Sequence, residues 1–112
     1  YGGITKGLTA VGSAMILAAT RAGVAEALHA ELSASQPNLM TYFTRSVPDM
    51  FGKAYRWVPE MQEIAHFSGD PATEEMYRAI ATHYQHLAAD NEGEKAAIEA
   101  LAAFFDKSAP KA

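Results

Sequence analysis

YGGITKGLTAVGSAMILAATRAGVAEALHAEL, residues 1–32, decides the fold class. Between Lys6 and Arg21 it carries no charge, and nearly every residue is small or aliphatic. Ala10, Ala14, Ala18 and Ala22 recur at every fourth position and make one ridge of a helix. Ile4, Leu8, Val11 and Met15 make a second ridge beside it. A helix apolar on nearly all sides has to be surrounded by protein or by lipid. The uncharged run is shorter than the roughly 20 residues a membrane span needs, and it contains Gly7, Thr9, Gly12, Ser13 and Thr20. No membrane partner is expected. Nor is a secretory signal, since no initiator methionine precedes the run and no loop follows a cleavage-like site. The expectation is a central helix over residues 4–22, packed on all sides and the most buried element of an all-α domain. Its abrupt opening, Tyr1-Gly2-Gly3, reads as the continuation of an upstream segment.

Composition narrows the class further. A chain of 112 residues suffices for one domain with a real core. Hydrophobic residues make up 49% and charged residues 20%, the balance of a folded globular chain. The net charge of −4 and the scattering of nine Lys and Arg give no basic stripe, so no nucleic-acid partner is expected. With no cysteine, the chain has no disulfide, thiolate nucleophile or zinc–cysteine site; a cytoplasmic location is expected.

The remaining sequence reads as five more helices and no strand. Residues 24–34 present Val24, Ala27, Leu28 and Leu32 on one face. Ser35 is placed to cap a helix carrying Leu39, Met40, Phe43 and Val47, which Ser46-Val47-Pro48-Asp49 should break. Residues 51–67 carry Tyr55, Val58, Met61, Ile64 and Ala65 at helical spacing. There Pro59 marks either a kink or a helix start near Trp57. Gly69-Asp70-Pro71 is a stop followed by a start, with Asp70 as N-cap, before Met76, Tyr77, Ile80, Tyr84 and Leu87. Asn91-Glu92-Gly93-Glu94 resembles a capping box opening a last helix with Ile98, Leu101, Ala102 and Phe105. Residues 107–112 form a polar tail expected to be disordered.

Several groups of side chains invite chemistry. Glu26 with His29 and Glu63 with His66 are E-x-x-H pairs of the kind that ferritin-like bundles use around two irons. A third, acid-bearing helix before the first pair is missing, so solvated outer faces are the plainer reading and no metal ligand is assigned. His83 and His86 sit one turn apart without a third ligand in view. Ser13 and Ser33 lack a nearby base. Two clusters remain. Thr5-Lys6-Gly7 puts a lysine near a helix N-terminus, where the macrodipole disfavours it. Lys53-Ala54-Tyr55-Arg56-Trp57-Val58-Pro59-Glu60-Met61 gathers the single Trp, an Arg and an acid around a helix start. A planar guanidinium beside aromatic rings holds carboxylate or phosphate well; an Arg56–Glu60 surface pair is the structural alternative.

These same residues carry a family resemblance. Gly3-Ile4-Thr5-Lys6-Gly7-Leu8, Arg21-Ala22-Gly23-Val24-Ala25-Glu26-Ala27-Leu28 and Ala54-Tyr55-Arg56-Trp57-Val58-Pro59-Glu60-Met61 together resemble the C-terminal helical domain of NAD(P)-dependent dehydrogenases. Those enzymes are related to the 6-phosphogluconate and 3-hydroxyisobutyrate dehydrogenases, the β-hydroxyacid group. The resemblance covers about residues 1–90. It implies a 6-phosphogluconate dehydrogenase C-terminal-like fold over residues 1–106, following a Rossmann domain that binds NAD or NADP. The helical domain would close the cleft on a small anionic substrate, such as a hydroxy acid, and make most of a homodimer interface. The resemblance places the main catalytic lysine just upstream of Tyr1. Within the chain it points to Lys6 as a catalytic candidate and to Thr5, Arg56, Trp57 and Glu60 as substrate-binding residues. Pro59-Glu60 stands where the wider family often carries a Lys-Asp pair, with Arg56 as the substituting cation. Alone, the chain is expected to bind no cofactor and to be inactive. The rival readings are a ferritin-like metal-binding bundle and a non-catalytic helical interaction module.

Overall fold

The computed structural model describes residues 1–106; the expected disordered tail lies outside the described residues. Six helices follow one another: α1 Gly2–Arg21, α2 Ala25–Ser35, α3 Pro37–Met50, α4 Ala54–Phe67, α5 Pro71–Glu92 and α6 Ala96–Phe105. Among the described residues there is no strand. The all-α expectation holds, and α1 is the hub, touching each of the other five helices. The closest pairing is the α4–α5 hairpin. Its turn uses Gly69 at φ +70 and Asp70, whose carboxylate accepts from the Thr73 backbone N at 3.0 Å and its hydroxyl at 2.9 Å. Those two bonds hold the Asp70 carboxyl below its ordinary pKa.

α1 corrects the first expectation. Its inward face is made mostly of small residues: Gly7, Thr9, Ala10, Gly12, Ser13 and Ala19 are buried, with Ile16 the one large side chain among them. Its large aliphatic ridge faces outward, with Ile4 75%, Leu8 38%, Val11 58% and Met15 57% exposed. The alanine ridge runs from buried Ala10 through half-buried Ala14 and Ala18 to exposed Ala22. The reason is distance of approach. A Cβ on Gly12 would stand 2.6 Å from the Cζ of Phe43, so only a bare backbone lets α3 come this close. By length and composition α1 could span a membrane, but its inner face is packed on protein.

Other boundaries differ in instructive ways. Ser46-Val47-Pro48-Asp49 does not break α3, which continues to Met50 with Pro48 inside it, because Val47 and Met50 are fully buried and anchor that turn. Ser35 ends α2 instead of capping α3, and its hydroxyl donates to Glu31 Oε1 at 2.6 Å. α4 starts at Ala54, so Pro59 lies inside it. The capping box at residues 91–94 is not formed: α5 runs on to Glu92, and Asp90 accepts from the Ile98 backbone N at 2.9 Å across the turn. In α6 the inward face is Ile98, Leu101 and Phe104, with Ala102 exposed. α2 has no buried residue; Leu28 and Leu32 are half-buried, while Val24 and Ala27 are exposed. Tyr55 and Met76 also turn outward.

Candidate functional site

Three tyrosines seat the first turns of α1 by donating to its backbone carbonyls. Tyr77 donates to Gly3 O at 2.8 Å, Tyr42 to Thr5 O at 3.3 Å, and Tyr84 to Lys6 O. The fit is close: a Cβ on Gly3 or on Gly7 would lie 3.3 Å from the Tyr77 hydroxyl. Tyr84 is fully buried, and burial, with Tyr42 nearby, pushes its hydroxyl well above the ordinary tyrosine pKa. The N-terminal half of α1 is thereby fixed against α3 and α5, and with it the direction of Lys6.

Lys6 Nζ forms an ion pair with Glu60 Oε2 and stands 5.2 Å from the ring centroid of Trp57. The Trp57 indole in turn meets Tyr84 edge-on at 5.3 Å. Glu60 lies close over Gly2; a Cβ there would be 3.1 Å from its carboxylate oxygen. The acid answers the electrostatic problem seen in the sequence. It neutralises a lysine that the α1 dipole disfavours, and it brings negative charge to the positive end of the helix.

Beside this group α1, α3 and α4 border an open cleft of about 340 Å³, lined by Thr5, Lys6, Thr9, Tyr42, Arg45, Ser46, Asp49 and Trp57. Thr5, Lys6 and Trp57 of the sequence-derived set line it, and Glu60 reaches it through Lys6. Arg56 does not line it. One residue before Trp57, it is turned about 100° away around the helix and is exposed. The expected Arg56–Glu60 pair is not formed, because Glu60 turns to Lys6. The guanidinium in the cleft is that of Arg45, which sequence reasoning missed. Tyr42, Arg45, Ser46 and Asp49 share the i, i+3, i+4, i+7 spacing that flanks the buried face of α3. That polar stripe was the available signal, hidden beneath the expected helix break.

The other clusters stay apart. Among the described residues no three His, Asp or Glu side chains come together as a metal site, so the two E-x-x-H pairs do not make the ferritin-like arrangement. His29 packs on Phe104, with ring centroids 5.1 Å apart. Ser13 and His83, unrelated in the sequence reading, are in fact partners: Ser13 donates to Ala10 O at 3.0 Å, and His83 Nε2 lies 2.8 Å from its Oγ. Burial, then the charge of His86, lowers the His83 pKa.

Residues 19–87 match the model of a family described as a domain of unknown function (DUF1932). No curated protein and no solved structure matches the chain.

Proposed function

Since the chain belongs to the DUF1932 family, the C-terminal helical domain of NAD(P)-binding dehydrogenases of the 3-hydroxyisobutyrate and 6-phosphogluconate type, we propose that it closes the substrate cleft of such an oxidoreductase and pairs with a second copy of itself. The observation that carries the reading is the meeting of Lys6, Glu60 and Trp57 at the N-terminal end of α1. This is the end that would follow directly from a preceding domain. The described residues offer no strand and no glycine-rich turn that would seat a dinucleotide. In the family's domain context NAD or NADP belongs to an N-terminal Rossmann domain, and the chain's own part is to bind, orient and shield a small anionic substrate. In this reading the enzyme is cytoplasmic, and the chain alone does not turn over.

Lys6 is held by Glu60 and Trp57, an arrangement suited to a fixed positive charge that orients substrate, while Thr5 offers a hydroxyl. Arg56, one turn before Glu60 and without an ion pair among the described residues, is available to an anion arriving from the preceding domain. The outward ridge Ile4, Leu8, Val11 and Met15 supports the pairing, since a continuous apolar stripe of this kind marks an interface.

The test is turnover. The protein comprising this domain and its dinucleotide-binding domain should reduce NAD or NADP with a small hydroxy acid. There Lys6→Met should lower kcat/KM by about tenfold or more. If Lys6 itself moves the proton, the loss should appear in kcat and reach about 10²-fold. Absence of nicotinamide reduction across hydroxy acids would overturn the reading in favour of a non-catalytic helical module, and an unaltered Lys6→Met enzyme would remove Lys6 from the site.

A further inference from the structure

α5 holds α1 through side chains at three points along its length. Tyr77 donates to Gly3 O and Tyr84 to Lys6 O, and His83 Nε2 lies 2.8 Å from the Ser13 Oγ. The two phenols keep one charge state from neutral pH through the acid range, and the imidazole does not. Mild acid therefore leaves the two holds on the first turns of α1 untouched and acts on the third, in the middle of the helix.

The surroundings of that third hold suit a neutral ring. Ser13 is fully buried. α1 brings no charge between Lys6 and Arg21 and no acid anywhere along its length. α5 packs otherwise against α4 and α6. α4 buries Ala54, Met61 and Ala65; its Glu60 is engaged by Lys6, and its Arg56, Glu63 and His66 are exposed. α6 buries Ile98, Leu101 and Phe104, with Glu99 exposed. Within α5, the Tyr84 ring centroid stands 5.7 Å from that of His83, and Asp90, two turns on, is engaged by the Ile98 backbone N. His86, one turn on and exposed, carries a charge of the same sign when protonated. Among the described residues no carboxylate acts on the ring; burial first, and then His86, hold the His83 pKa below its ordinary value. The ring is half-buried, so a proton reaches it without unfolding. On its far side α1 is open at this level, with Val11 58% and Met15 57% exposed, so nothing there presses the helix back onto α5.

We propose that His83 is a proton-operated catch on α1: as a neutral ring it closes the α1–α5 contact at Ser13, and as an imidazolium it turns to solvent and loosens the middle of α1 while Tyr77 and Tyr84 keep the first turns seated. The catch goes beyond the dehydrogenase reading and does not depend on it. The unfolded chain takes up the proton first, so the stability is whole above about pH 6.5 and is lost as pH falls below it. Carboxylates titrate lower, which leaves the range from about pH 7.5 to about pH 5.5 to the four histidines.

The test follows the histidine rings and the stability of the chain across that range. NMR titration of the assigned ring protons should give His83 a pKa below about 6.5. Denaturant titrations should show the folding constant falling by about threefold or more between the two limits. His83→Gln, whose amide reaches Ser13 without titrating, should remove most of that fall, and His86→Gln, on the exposed side, should reduce it by less. At the lower limit, hydrogen-exchange protection at residues 11–17 should drop further than at residues 5–8. A His83 ring that titrates at or above about 6.5 overturns the catch, whether or not the variant folds. So does a folded His83→Gln chain with the parent's acid sensitivity. A loss of protection shared equally by all six helices overturns it too, since acid would then be a general denaturant.

Discussion

Gly12 sets how closely α3 approaches α1, and its role can be measured. A methyl group there would meet the Phe43 ring, which is buried and has nowhere to swing. Gly12→Ala should therefore destabilise the domain by about 1–3 kcal/mol in denaturant unfolding, against the usual helix-stabilising effect of alanine. Tyr84 supplies a pH prediction. Its pKa in the fold is raised by burial, so the folded state prefers the neutral phenol. The stability this contributes is fully present below the ordinary tyrosine pKa of about 10 and declines as pH rises above it, because the unfolded chain releases the proton first. Thermal melts should fall off on the alkaline side, and Tyr84→Phe should flatten that limb while lowering stability at neutral pH through loss of the bond to Lys6 O.

At the scale of elements, the α5–α6 joint is made by a side chain that reaches across, not by a local cap. The N-cap position of α6 is Lys95, a non-glycine residue at φ +62, which gives no side-chain cap. Asp90, near the end of α5, supplies the missing acceptor to Ile98. Asp90→Ala should thus cost about 0.5–2 kcal/mol by denaturant titration, the loss expected of an N-cap although the residue belongs to the preceding helix. An unchanged midpoint would mean that water replaces the carboxylate at no cost. The α1–α2 joint works differently. Gly23 at φ +76 reverses the chain, with nothing within 4 Å of where a Cβ would be, so it is backbone conformation and not space that calls for glycine there.

For the whole molecule, the open face of α1 is the feature that determines assembly. Ile4, Leu8, Val11 and Met15 lie on one side of the helix that the other five leave uncovered. If this face is the proposed dimer contact, light scattering should give a dimer at micromolar concentration. Val11→Glu should then give a folded monomer, since residue 11 is already exposed and a charge there disturbs only what covers it. A wild-type monomer, or a Val11→Glu dimer, would count against the pairing.

The six helices, their rough extents and the Asp70 start were legible in the sequence because they rest on local physics: the 3.6-residue period, capping chemistry and the conformational limits of glycine and proline. Lys6 and Trp57 stood out for the same kind of reason, as a cation against a helix dipole and the single indole. What lay beyond the sequence was direction. An apolar circumference does not say which ridge faces inward, and on α1 it was the small residues with Ile16, not the ridge of Ile4, Leu8, Val11 and Met15, because Phe43 needed bare backbone to pack against. Partner choice was equally non-local: Glu60 lies one turn from Arg56 but pairs with Lys6, and Ser13 finds His83. Pro48 read as a break until Val47 and Met50 were seen fully buried around it. Local preferences made the helices; the depth at which they interlock, fixed by the shapes of side chains distant in sequence, decided which charges met and left Arg45 unpaired in the cleft.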